Sequence, residues 1–268
     1  MLHSTGVPEI NADMGEGYGA FAYGDDEGVA PHIHIANIAC GFHGGDPQTI
    51  SRCVRMAKRH GLKIAAHPSL PDQEGFGRRD LRLGRDALRD CVLYQVGALN
   101  GFLAAEGLSL SYLKPHGMMY MQAARDEALA EALCDTAETF GVGVFGISGT
   151  HTENVANRRR LPFLGEFFVD LAYQDDGRLI VTKEKAVDPD WVALRLKRAV
   201  RDGVVETIGG VMRPIAFRTI CVHNDMPNAR EIARAARAAL DDIKAETAQT
   251  ISDSGALPQG IDQQGESG

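Results

Sequence analysis

Asp46-Pro47-Gln48-Thr49-Ile50-Ser51-Arg52-Cys53-Val54-Arg55-Met56-Ala57-Lys58-Arg59-His60-Gly61-Leu62-Lys63-Ile64-Ala65-Ala66-His67-Pro68-Ser69 holds one complete helix-to-strand unit. Asp46 reads as an N-cap, and Pro47 fits the first helical position, where a missing N–H costs nothing. Ile50, Cys53, Val54 and Ala57 recur at helical spacing. Gly61 suits the turn that closes a helix. Residues 62–66 are a short apolar run of strand length, and His67-Pro68-Ser69 follows as a polar turn.

The same unit recurs on both sides. Leu88, Cys91, Val92, Val96, Leu99, Phe102 and Leu103 form a helical stripe closed by Gly107, before a strand-like run at 110–113. Leu129, Leu133, Thr136 and Phe140 precede another at 142–147. Val192, Leu196 and Ala199 mark a further helix, residues 217–222 a further strand, and Ile232, Ala233, Ala236, Ala239, Leu240 and Ile243 a last amphipathic face. With 9–12 and 33–39 this makes six or seven strands alternating with helices, the pattern of βαβ units and a parallel sheet. No G-x-G-x-x-G follows the first strand and no G-x-x-x-x-G-K-[ST] occurs. A closed (β/α) barrel is therefore expected over an open doubly wound sheet. A turn near 173–178 predicts a β-hairpin excursion. Periodicity fades near Lys244, so one barrel domain over 1–243 is expected, with a disordered Ser/Gln/Gly-rich tail over 244–268.

Of 268 residues, 44% are hydrophobic, enough for the core of one such barrel. No apolar run approaches the ~18 residues of a membrane span, and the first nine residues lack a secretion signal. The net charge of −8 argues against nucleic-acid binding. Arg158-Arg159-Arg160 reads as a solvated loop. Five cysteines without a C-x-x-C suggest reduced thiols and a cytoplasmic protein, and Cys40 reads as a small buried residue.

Polar residues gather where strands end, which in an α/β barrel is the catalytic mouth. The runs are Asn11-Ala12-Asp13-Met14-Gly15-Glu16-Gly17, Asn37 through His43-Gly44-Gly45-Asp46, His67-Pro68-Ser69, Lys114-Pro115-His116-Gly117 and His223-Asn224-Asp225. Asp13, Glu16, His43, His67, Lys114 and His116 are the catalytic candidates, since carboxylates and histidines do acid/base work near neutral pH. Asp13, His43 and His67 could also hold a divalent ion, magnesium or zinc. Asp46 is either a cap or, through the helix it starts, part of an anion site. No G-x-S-x-G supports a serine hydrolase.

The chain resembles the LamB/YcsF family. The matching stretches are 11–17, 36–47, Ala66-His67-Pro68-Ser69-Leu70-Pro71-Asp72, Gly75-Phe76-Gly77-Arg78-Arg79, 93–99 and Lys114-Pro115-His116-Gly117-Met118-Met119-Tyr120. The resemblance implies a seven-stranded barrel of the glycoside hydrolase/deacetylase type. It also implies the A component of an ATP-dependent 5-oxoprolinase, which works with subunits B and C and opens 5-oxo-L-proline to L-glutamate. ATP would sit on Gly41, Gly44, Gly45 and Asp46. The cyclic amide would lie near Asn11, Asn37, Ser69, Arg79, Asp170 and His223. Self-association is left open. Three positions depart from the family pattern: Leu171 stands where it has arginine, Lys183 replaces a second arginine, and Asn224 replaces a glycine. They make a different lactam or cyclic imide an alternative substrate. Further alternatives are an ATP-independent, metal-dependent amide hydrolase or deacetylase and a non-catalytic subunit.

Overall fold

A computed structural model describes residues 7–180 and 185–254, with side chains to 249. In chain order its elements are β1 (Glu9–Met14), α1 (Asp26–Val29), β2 (Ile35–Ala39), α2 (Pro47–His60), β3 (Lys63–His67), α3 (Arg85–Ala105), β4 (Tyr112–Leu113), α4 (Gly117–Arg125), α5 (Glu127–Phe140), β5 (Gly143–Gly146), α6 (His151–Arg158), β6 (Phe163–Phe168), β7 (Ala172–Tyr173), β8 (Leu179–Ile180), α7 (Pro189–Asp202), β9 (Val204–Glu206), β10 (Met212–Pro214), β11 (Thr219–Val222) and α8 (Ala229–Ser254).

Seven parallel strands close in the order β1-β2-β3-β4-β5-β6-β11. The unit from Asp46 to Ser69 folds as its sequence predicts. The Asp46 carboxylate accepts from Gln48 N and Thr49 N at 2.8 and 2.9 Å, and Gly61 turns left-handed with φ 64°. Alternate residues of each strand face the barrel axis. Low in the barrel Ile35, Ala65 and Phe145 form an apolar plug. Above it Asn11, Asn37, Lys114, Glu166 and Cys221 form a buried layer of a kind unusual for a barrel core, where branched aliphatics dominate. The outward positions, such as Ala36, Ile38, Ile64 and Ile220, pack against helices.

β7 and β8 pair antiparallel as the expected hairpin, and β9–β10 add a second that periodicity does not reveal. Of the barrel strands, β6 is the one that periodicity does not mark. The tail boundary at 244 is corrected, because α8 continues to Ser254. Lys244, Ala245, Glu246, Ala248 and Gln249 are strong helix formers, and Arg201 pairs with Glu246. An exposed helix end needs no apolar stripe, so fading periodicity is a poor stop signal. Residues 255–268, with the disorder expected there, and Lys183 lie outside the described residues. Among the described residues no helix is long and apolar enough to cross a membrane.

Candidate active site

The two mouths of the barrel differ in chemistry. At the N-terminal ends of the strands a cavity of about 910 Å³ is lined by Glu9, Tyr112, Phe163 and Phe217. At the C-terminal ends a cavity of about 100 Å³ is lined by Asp13, His67, Arg78, Lys114, His116 and His223, with apolar walls from Phe168, Leu171 and Leu179. Converging titratable groups favour the second.

Its floor is an ion-paired layer. Lys114 Nζ lies 2.8 Å from Asp13 Oδ1, 3.1 Å from Glu166 Oε1, 3.0 Å from Asn11 Oδ1 and 3.2 Å from Cys221 Sγ. Asn37 donates to both Asp13 Oδ1 and Asn11 Oδ1. Burial alone would lower the Lys114 pKa, but Asp13 first, then Cys221 and Glu166, hold it well above the ordinary lysine value. Burial would likewise raise Asp13, yet His67 and Lys114 keep it well below the usual carboxylate range. The two groups thus stay charged in a dry setting. Glu166 is not among the candidates read from the sequence. A lone carboxylate inside Phe163-Leu164-Gly165-Glu166-Phe167-Phe168 is the available signal, since an unpaired buried charge is prohibitively costly. The Tyr120 hydroxyl, pushed up by burial and by Glu166, closes the layer from α4.

The rim is histidine-rich. Ligand atoms of Glu16, His43, His67 and His116 all lie within 4.8 Å of one another, and all four residues are buried. His43 stacks on His116 with ring centres 3.7 Å apart. Burial lowers the pKa of both, and neighbouring histidines lower that of His116 further. This grouping holds His43 and His67 of the expected metal set, together with Glu16 and His116, and does not include Asp13. Asp13 Oδ1 is committed to Lys114 and Asn37, while its Oδ2 stands 3.5 Å from His67 Nε2. Across the cavity, Asp170 accepts from the His223 backbone N–H at 2.6 Å and lies 2.8 Å from His223 Nδ1.

Other expected site residues fall elsewhere. Ser69 Oγ donates to Leu70 O, and Gln95 binds both Ser69 N and Ser69 O. Ser69 therefore serves as a buried strut. Arg79, its side chain 55% exposed, pairs with Asp72, and its neighbour Arg78 reaches the cavity instead. Arg78 bonds Asp225 at 2.9 Å and covers the Phe76 ring at 4.9 Å. Gly44 and Gly45 pack on the loop after β1, where a Cβ on Gly44 would come 2.5 Å from Glu16 O. Asp46 also accepts from Gly19 N, so with Gly44 and Gly45 it ties two loops together. Gly41 N donates to Gly44 O within the same turn. Cys40 is buried, its thiol pushed up to about 12. Asn224 spans Asp25 N and Asp26 and so anchors the turn after β11.

The family model described as the LamB/YcsF family matches residues 8–254. A Thermus thermophilus protein named as a 5-oxoprolinase subunit is 43% identical over 238 residues, covering 87% of this chain and 95% of the relative. The lactam utilization protein lamB of Emericella nidulans is 40% identical over 239 residues, covering 87% and 94%. A crystal structure of a lactam utilization protein from Thermus thermophilus superimposes with a TM-score of 0.82 at 42% identity, covering 88% of this chain and 97% of that one. On this agreement of motif, barrel and overall alignment, the chain belongs to the LamB/YcsF family.

Proposed function

We propose that this chain carries the ring-opening site of an ATP-dependent 5-oxoprolinase, which hydrolyses 5-oxo-L-proline to L-glutamate with release of ADP and phosphate. The observation that carries the reading is the buried Lys114 ammonium between Asp13 and Glu166, facing a small cavity with titratable groups and apolar walls at the C-terminal mouth of the barrel. A fixed cation in a dry cavity suits an amide oxygen on which negative charge develops. The relatives named for 5-oxoprolinase and lactam utilization support the substrate class.

In this reaction the γ-phosphoryl group of ATP passes to the lactam oxygen and makes the ring carbon electrophilic. One water adds to that carbon, the C–N bond breaks, and the nitrogen takes a proton. A second water releases phosphate from the resulting acyl phosphate. Asp13, held ionised by Lys114, is a weak base at neutral pH and acts by fixing the ammonium. His223 is the better proton carrier. Asp170 holds its Nδ1 and leaves Nε2 to the cavity, the logic by which a carboxylate orients a catalytic imidazole.

The 41–45 loop, folded on the β1 loop, is a poor phosphate cradle. A cavity of about 660 Å³ that shares Met121, Phe168 and Leu179 with the site is lined by Arg125, Arg178 and Arg213, and better suits a triphosphate. The naming of the relatives as one component of a larger enzyme supports action with partner subunits B and C in the cytoplasm, where ATP is supplied. A divalent ion on the Glu/His cluster would supply Lewis-acid polarisation or an activated water. That cluster favours a second reading, amide hydrolysis without ATP.

The test mixes this chain with its partner subunits and follows ADP and glutamate with and without 5-oxoproline. Both products appearing together, only with lactam and ATP, is the expected result. Glutamate without ATP would favour the second reading. A folded, assembled complex unmoved by the lactam would sink both and turn the search to other cyclic amides.

A further inference from the structure

His67 Nε2 and His116 Nδ1 point at each other across 3.0 Å in a buried setting. The outer nitrogen of each ring meets a backbone carbonyl. His67 Nδ1 is 2.8 Å from Lys114 O, and His116 Nε2 is 2.8 Å from Phe76 O. A carbonyl only accepts, so both outer nitrogens carry the hydrogen. The inner nitrogens are then the ring atoms left to accept or to ligate, and they face each other. Glu16 Oε1 joins them, 3.3 Å from His116 Nδ1 and 3.8 Å from His67 Nε2. Three electron-rich atoms converging away from water require a positive species between them.

We infer that His67 Nε2, His116 Nδ1 and Glu16 Oε1 bind one divalent transition-metal ion of the zinc type. Their separations of 3.0, 3.3 and 3.8 Å bracket the edge, about 3.3 Å, of a tetrahedron with bonds of about 2.0–2.1 Å. Donation of each outer N–H to a backbone carbonyl is the arrangement that fixes a metal-binding histidine in the right tautomer. Two imidazoles and one carboxylate favour zinc, cobalt or nickel over magnesium, which prefers oxygen ligands alone.

His43 differs. Its Nδ1 is buried without a hydrogen-bond partner, so no carbonyl sets its tautomer, and its Nε2 lies 3.0 Å from Glu16 Oε1. His43 is a positioning residue that holds Glu16 for the ion. Asp13 Oδ2 lies 3.5 Å from His67 Nε2, beside the site.

The test strips the full-length chain with a chelator, confirms its fold by circular dichroism, and titrates zinc and cobalt by calorimetry. Expected are one ion per chain and the intense visible bands of tetrahedral cobalt. His67→Ala, His116→Ala and Glu16→Gln should each weaken binding by about 100-fold or more, and His43→Gln by about 10-fold with the stoichiometry kept. The cobalt spectrum of the unaltered protein reports the site even if a variant fails to fold. A folded, stripped chain that takes up neither ion would overturn the inference and leave a shared proton between the rings. Binding unchanged in both His67→Ala and His116→Ala would overturn it as well. The inference rests on ring geometry, so a chain that binds the ion yet opens no lactam refutes only the substrate reading.

Discussion

Lys114 Nζ sits 2.8 Å from Asp13 Oδ1 with both side chains almost wholly buried, and Glu166 stands 3.1 Å away on the other side. One ammonium thus serves two buried carboxylates. Lys114→Met leaves both uncompensated, and breaking such a buried pair costs about 3–5 kcal/mol. Urea unfolding should show this loss, together with abolished lactam turnover. Adding Asp13→Asn to Lys114→Met should recover part of the stability and none of the turnover. A single variant as stable as the parent would mean that the layer is not ion-paired in solution.

Asp170 sets the ring of His223 through two contacts, one to the backbone and one to Nδ1. Asp170→Asn keeps the shape but can donate to Nδ1, which places the ring proton on Nε2. If His223 moves protons in the reaction, kcat should fall by about 100- to 10,000-fold while KM changes little. A rise confined to KM would instead mark His223 as a binding group.

These two residue sets show how far the sequence is legible. The barrel is readable because each helix carries its own punctuation, as Asp46 and Gly61 do around α2. Asp13, His67, Lys114 and His116 are readable because polar residues at successive strand ends have no packing reason to be there. Glu166 and Cys221 escape because they lie inside apolar runs, and only the closed barrel shows that their side chains face the axis beside Lys114. The choice of Arg79 over Arg78 fails for a related reason. The two are adjacent, and the loop conformation decides which reaches the cavity. Its consecutive positive φ angles at Phe76 (53°) and Gly77 (66°) leave no trace in spacing or composition.

Gly77 lies beneath the histidine rim. A Cβ there would come 2.8 Å from His116 Cδ2, 2.7 Å from Ser69 Oγ and 3.1 Å from His43 Cβ, at φ +66°. Gly107 has nearly the same φ, +68°, with nothing within 4 Å, and makes a matched control. Alanine at either position should cost about 1–2 kcal/mol of left-handed strain in thermal unfolding. Only Gly77→Ala should also displace His116 and reduce turnover, by at least about 10-fold. Equal activity in the two variants would show that the rim tolerates displacement.

Leu171 offers a test of the substrate. It is buried at 2% exposure and lines the cavity with Phe168 and Leu179, while its carbonyl accepts from Arg195 Nη1. At the position where the resemblance implies an arginine, this chain therefore presents an apolar wall. A lactam bearing a carboxylate loses a charge-assisted partner worth about 1.5–3 kcal/mol, roughly a 10- to 100-fold change in kcat/KM. The reconstituted complex should be assayed on 5-oxoproline and on the neutral lactam 2-pyrrolidinone. In Leu171→Arg the ratio of kcat/KM for 5-oxoproline to that for 2-pyrrolidinone should rise by about 10-fold or more. A high ratio already present in the parent and unchanged by the substitution would show that Arg78, the remaining arginine on this cavity, grips the carboxylate. Arg78→Met would then collapse the ratio, and Leu171 would be a change within the family that leaves its substrate intact.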